Sequence, residues 1–203
     1  KGFEMATGHV FSWINSDDMI YPRAAAKIAE HFNPCKKTLY YGDSVTIVSD
    51  AGYVLYNTAK PVLRDIWPRP ALISQHGTFW DASAHKEIDE TLHFGMDFEL
   101  WMRLIPEIDR LIYVRDPTGV NNSRPDTKTR DDQNRDVWAA EYRAIMDRHH
   151  GKFTKNDRSI EYRFSRILRK LNSIFSRRKK NEVDRIIAKP RGFSLVSYRQ
   201  HAA

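Results

Sequence analysis

The sequence predicts an α/β fold. Short, apolar, β-prone runs alternate with stretches of helical periodicity. The composition, 41% hydrophobic and 29% charged over 203 residues, is that of a globular chain and not a disordered one. This length allows one domain of ordinary size plus a tail, not two full domains.

The elements follow in order. His9–Ile14 is short, apolar and β-prone, and reads as a buried strand ending at the polar loop Asn15-Ser16-Asp17-Asp18. Pro22 suits the first turn of a helix, and Ala24–Ala26, Ile28, Ala29 and Phe32 keep helical spacing until Asn33-Pro34 stops it. Leu39–Tyr41 and Val45–Val48 read as strands, and Asp50-Ala51-Gly52 turns the chain into a return arm at Tyr53–Tyr56. Residues 57–71 are Pro-rich and irregular, and Thr78–Trp80 is a short strand. Met96–Leu104 is a helix with Phe98, Trp101, Met102 and Leu104 as core positions. Leu111–Val114 is a strand, Asp116–Arg130 a long polar loop, and Asp131–His149 a helix.

Charge divides the chain. Residues 1–147 hold 17 basic and 22 acidic side chains, a net of −5, whereas residues 148–203 hold 16 and 4, a net of +12. The two parts are expected to be a domain over 1–147 and a basic helical tail over 148–203. In the tail, Phe164, Ile167, Leu168, Leu171, Ile174 and Phe175 fall on one helical face, with arginines and lysines around the rest. A basic amphipathic helix of this kind over residues 158–180 suits an anionic membrane surface, and equally suits packing on the body or on a second chain. The acidic body, and the lack of an RNA-binding motif of aromatics and glycines, argue against nucleic acid as the main partner. No apolar run approaches the ~18 residues of a membrane-spanning helix. The single Cys35 excludes an intramolecular disulfide and a thiolate zinc cluster.

The element that carries chemistry is the strand running into Asn15-Ser16-Asp17-Asp18. Two adjacent carboxylates at the end of a buried strand are costly unless a cation meets them. A divalent metal bound to phosphate fits, because Mg²⁺ or Mn²⁺ takes few protein carboxylates and completes its shell with phosphate oxygens and water. The bland alternative is that Asp17 or Asp18 caps the helix near Pro22.

The run from Ala6-Thr7-Gly8 through His9–Ile14 to Asn15-Ser16-Asp17-Asp18, followed by Pro22, resembles the centre of family 2 glycosyltransferases of the GT-A fold. Four further segments match that family in order: Tyr41-Gly42-Asp43, the Asp50-Ala51-Gly52 turn, Gln75–Phe79, and Asp97-Phe98-Glu99-Leu100-Trp101 with Arg103-Leu104. Each match is weak or moderate alone; together, over residues 1–130, they are specific.

The resemblance implies a mixed sheet flanked by helices and an inverting, metal-dependent glycosyltransferase. The donor would be a nucleotide-diphosphate sugar, and the acceptor a hydroxyl of a polysaccharide, a lipid-linked glycan or another glycan. Asp18 matches the metal-ligand position, for Mn²⁺ or Mg²⁺. Asp97 matches the general base. Asp17 matches a position near the sugar or ribose. Gln75, His76, Trp80, Glu99 and Arg103 are the remaining substrate-side candidates. Asp97 also suits a helix cap, Trp101 suits core better than a sugar platform, and Arg103 suits either a diphosphate or an ion pair. The resemblance places the enzyme in the cytoplasm, at the inner face of the plasma membrane if the tail binds there.

The family's first strands, which grip base and ribose, have no counterpart in the 16 residues ahead of Asp17. The expectation is therefore a fragment of a longer protein, or a chain that pairs with a missing half and is inactive alone. The competing functional readings are a non-catalytic glycosyltransferase-like binding module and a polyanion binder acting through the tail.

Overall fold

A computed structural model describes residues 1–48, 50, 51, 53–57, 59, 73–128 and 134–150. The chain divides into units Lys1–Ser159 and Ile160–Ala203, and the described residues all lie in the first. The expected tail helix and most of the Pro-rich stretch 57–71 lie outside the described residues.

In chain order the elements are α1 (Gly2–Met5), β1 (Val10–Ser12), β2 (Met19–Ile20), α2 (Ala24–Ala29), β3 (Thr38–Val48), β4 (Tyr53–Asn57), β5 (Thr78–Asp81), α3 (Met96–Leu104), β6 (Arg110–Ser123) and α4 (Arg135–His150). The strands make one mixed sheet in the order β1-β5-β3-β6-β2, with β4 also paired to β3. The α/β class expected from the sequence is therefore present.

β3 is the centre. It runs parallel to β6 along its whole length. Its other edge is shared: Leu39–Tyr41 pair antiparallel with β5, and Ser44–Val48 pair antiparallel with β4. β1 is also antiparallel to β5, so β1, β3 and β6 all point the same way. Leu39, Tyr40, Tyr41 and Val45 are buried in succession along β3, the pattern of a strand covered on both faces.

Three boundaries differ from the sequence reading. Leu39–Tyr41 and Val45–Val48 are one strand, because Gly42-Asp43-Ser44 stays paired to β6. The expected loop from Asp116 begins instead as strand: β6 continues to Ser123, and its Asp116-Pro117 break is absorbed as a bulge opposite Gly42–Ser44. The helix expected at Pro22 starts at Ala24. Tyr21–Ala24 closes a turn (Ala24 N to Tyr21 O, 3.0 Å) with Arg23 at φ 70°, ψ 0°. These are the values of the third residue of a type II turn, which favours Pro22 at the second position.

The core gathers Leu39, Tyr41, Trp80, Leu100, Trp101, Leu104, Ile105 and Ile108 between sheet and α3. Trp80 meets Trp101 edge-on at 5.3 Å, a contact of about 1 kcal/mol beyond burial. One helical turn along, Phe98 and Met102 face Tyr142, Ile145 and Met146 of α4. α3 is thus wedged between sheet and α4, which accounts for its nearly continuous burial. All four expected core positions on this helix are buried. Inside the sheet, buried Asp43 accepts hydrogen bonds from the hydroxyls of Tyr56 and Tyr113 and from Ala59 N (3.0 Å), which tie β4 and β6 to β3. Burial, and then Asp43 itself, raise both phenol pKa values far above the ordinary range. They remain donors, as a buried carboxylate requires.

Candidate active site

The sheet brings four of the candidate residues into one cluster. β1 ends at Ser12, and the chain turns at Asn15–Asp18 (Asp18 N to Asn15 O, 3.1 Å). β2 then pairs Met19 with Val120 and Ile20 with Gly119 of β6. This register sets Asp18 beside the next residues of β6. Asp18 Oδ1 accepts from Asn121 Nδ2 (3.3 Å) and Asn122 N (3.2 Å), and its Oδ2 accepts from Asn15 Nδ2 (3.2 Å). The same Asn15 Nδ2 donates to Gln75 Oε1 (3.1 Å), and Gln75 Nε2 donates to Trp13 O (3.0 Å). Asp17 pairs with Arg124 (3.3 Å), which also meets Asp126 (3.2 Å).

His76 lies under this cluster. Its backbone, in the 3₁₀ turn Gln75–Gly77 that leads into β5, is seated against Gly119. A Cβ on Gly119 would lie 2.1 Å from His76 O. His76 Nε2 is buried and makes no hydrogen bond among the described residues. Burial lowers the imidazole pKa while Asp18 raises it, with burial the larger effect. The ring is therefore neutral at pH 7.

Neither Asp17 nor Asp18 caps α2, whose N-cap is Arg23 without any side-chain cap bond. The bland reading of the carboxylate pair is thereby removed. Among the described residues, no group of three or more His, Cys, Asp or Glu could hold a metal ion. A complete protein cage is thus absent from this part of the chain. What the cluster offers is Asp18 beside the side-chain amides of Asn15 and Asn121, with Gln75 one hydrogen bond further on through Asn15; when turned, these amides are hard oxygen donors. The long contacts of 3.2 to 3.3 Å around Asp18 are ones that a cation could replace. This donor set fits Mg²⁺ or Mn²⁺ only if phosphate and water complete the shell.

A second group sits on α3. Asp97 is in the first turn, two residues after the N-cap Gly95, and its Oδ1 accepts from Phe98 N (2.8 Å). Burial raises its carboxyl to about 6, against opposing hydrogen bonds from backbone amides. Glu99, 2% exposed, is committed elsewhere. It takes a bidentate pair from Arg103 (2.7 Å twice) and lies 3.2 Å from His149 Nε2. Arg103 also donates to Glu87 O (2.6 Å). Glu99 and Arg103 thus satisfy each other, which is the ion-pair alternative for Arg103. Trp80 has no exposed surface and donates to His85 Nδ1 (3.4 Å), so it presents no face to a ligand here. Burial, with Arg103 nearby, lowers the His85 pKa, which leaves that nitrogen an acceptor.

Sequence reasoning did not single out Asn15, Asn121 or Asn122 as site residues. No spacing rule marks an asparagine that meets an aspartate 103 residues away. No protein-family model matches the chain, and no curated protein matches it.

Proposed function

We propose that the chain is the metal–diphosphate and acceptor side of a GT-A, family 2 inverting glycosyltransferase. It would move a sugar from a nucleotide-diphosphate sugar to a hydroxyl of a glycan or lipid-linked acceptor. The observation that carries this reading is the convergence of Asp17, Asp18, Gln75 and His76 just past the carboxyl end of β1. Open α/β sheets bind ligands outside the carboxyl ends of their parallel strands, and β1, β3 and β6 are such strands. The mixed sheet with flanking helices supports the same fold.

In this reading Asp18 would hold Mn²⁺ or Mg²⁺, which when bound would offset the charge of the departing diphosphate. Arg124, now on Asp17, is a cation within reach of the same anionic group. The acceptor oxygen attacks the anomeric carbon from the face opposite the diphosphate. Its proton passes to Asp97 as the new C–O bond forms, and the bond to the diphosphate breaks with the electron pair leaving on oxygen. A carboxyl near 6 is mostly ionised at pH 7 yet basic enough for this transfer. The tail, residues 158–180, would bring the enzyme to an anionic membrane surface at the cytoplasmic face, where lipid-linked acceptors are assembled. Among the described residues no helix is long and apolar enough to cross a membrane.

The test is a transfer assay with a panel of nucleotide sugars and Mn²⁺, following release of nucleoside diphosphate. Asp97→Asn should retain diphosphate binding and lose transfer by at least about a hundredfold. Transfer by this variant at the wild-type rate would remove Asp97 as the base.

A further inference from the structure

We infer that Glu141, on α4, is a positioning residue that sets the first turn of α3 and with it the Asp97 carboxylate. The inference rests on the reading of Asp97 as the base. Glu141 accepts three consecutive backbone N–H groups: His93 on Oε1, and Phe94 and Gly95 on Oε2, each at 2.6 Å. Such short bonds are charge-assisted, and they fix both oxygens of one carboxylate. The donors are the amides just ahead of Asp97. Gly95 is the N-cap and has no side chain with which to cap the helix itself. Glu141 supplies from 46 residues away what a Ser or Asp would ordinarily supply locally.

The surrounding contacts show that α4 clasps this turn, as well as packing on Met102 further along α3. A Cβ on Gly95 would lie 2.5 Å from Ile145 Cδ1, so the α4 side chain has closed onto the glycine. Tyr142, next to Glu141, stacks on Phe98 at 4.8 Å and 7°. His149 reaches Glu99 at 3.2 Å. Residues 95, 98 and 99 are thus each held, and Asp97 lies among them. Without Glu141, three unsatisfied amides would compete for an anion, and Asp97 is the carboxylate two residues along the chain from Gly95. Glu141 therefore keeps the base from folding back onto its own helix end. On α4, the ionisable group that senses both carboxylates is Tyr142, whose hydroxyl is raised beyond its ordinary range by burial first and then by Asp97 and Glu141. It stays neutral while Asp97 titrates.

The test uses NMR on the whole chain with Glu141→Gln, which removes the charge, and Glu141→Asp, which keeps the charge but shortens the reach. Sheet amide resonances report whether each variant is folded. The expected result is a change in the chemical shifts of the His93, Phe94 and Gly95 amide protons in both variants. The Asp97 carboxyl midpoint should fall in both from about 6 toward the ordinary 3.8. A midpoint that moves in Glu141→Gln alone would mean a charge effect and would overturn positioning, as would a midpoint unchanged in both. Failure of the base reading is seen separately, as transfer surviving Asp97→Asn while the amide and carboxyl shifts still appear.

Discussion

Asp97 carries a cost that the role proposed for it, general base, requires. Its folded pKa of about 6 lies above the ordinary 3.8, so the folded state holds the proton more tightly than the unfolded chain. The associated stability is present below about pH 4 and is lost as pH rises through about 6, a change of ~1–3 kcal/mol. Asp97→Asn should therefore be more stable than wild type at pH 8 and no more stable at pH 3.5, as chemical denaturation at the two pH values would show. Equal stability at pH 8 would mean that the carboxyl is not held up by burial. Transfer should rise with pH through about 6, since only the ionised form accepts the acceptor's proton. The placement of the residues in the proposed chemistry was legible in the sequence: Asp17-Asp18 after a strand, and Asp97 opening an amphipathic helix. Their surroundings were not. Asn121 and Asn122 read as loop residues, because Asp116-Pro117 looked like the end of the preceding strand. Glu141 carries no local mark, since its function comes from the three amides it meets in the fold.

At the scale of elements, β6 explains why the cluster exists. Its bulge lets one strand serve two partners. Arg110–Val114 pair with the first half of β3, and Gly119–Ser123 pair with the second half while also receiving β2. Gly119 is where the Gln75–Gly77 turn sits on this strand. The atoms that a Cβ would strike there are backbone, which cannot rotate away. Gly119→Ala should cost about 1–3 kcal/mol, the range for overpacking a closed site. It should also shift the Gln75 and His76 resonances while sparing those of α3. A variant with wild-type stability and unmoved resonances would show that the turn is not seated as described. The hairpin of β3 and β4 was readable from its β-prone arms and the turn between them. The division of β3 in two was a misreading of Gly42-Asp43-Ser44, where a glycine and a carboxylate look like a break. Asp43 is instead satisfied by two tyrosines from neighbouring strands. Gly42 stays strand because β6 passes too close for a side chain: a Cβ would lie 2.5 Å from Asp116 O.

For the whole molecule, the charge division suits the two tasks we propose: a metal–diphosphate site on the acidic body, and a basic tail for an anionic surface. Deleting residues 158–203 should abolish co-sedimentation with vesicles containing anionic lipid, and raised salt should weaken binding of the intact chain. Undiminished sedimentation of the shortened chain would end the membrane proposal without touching the site. The central claim is that Asp17-Asp18 is a metal–diphosphate site. Its most direct test is calorimetric titration of the folded chain with UDP, GDP and dTDP, with and without Mn²⁺, beside Asp18→Ala. The account predicts binding of one nucleoside diphosphate that requires Mn²⁺ and weakens at least about tenfold, or about 1.4 kcal/mol, in Asp18→Ala. Binding indifferent to both Mn²⁺ and the substitution, or none at all to a folded chain, would contradict it.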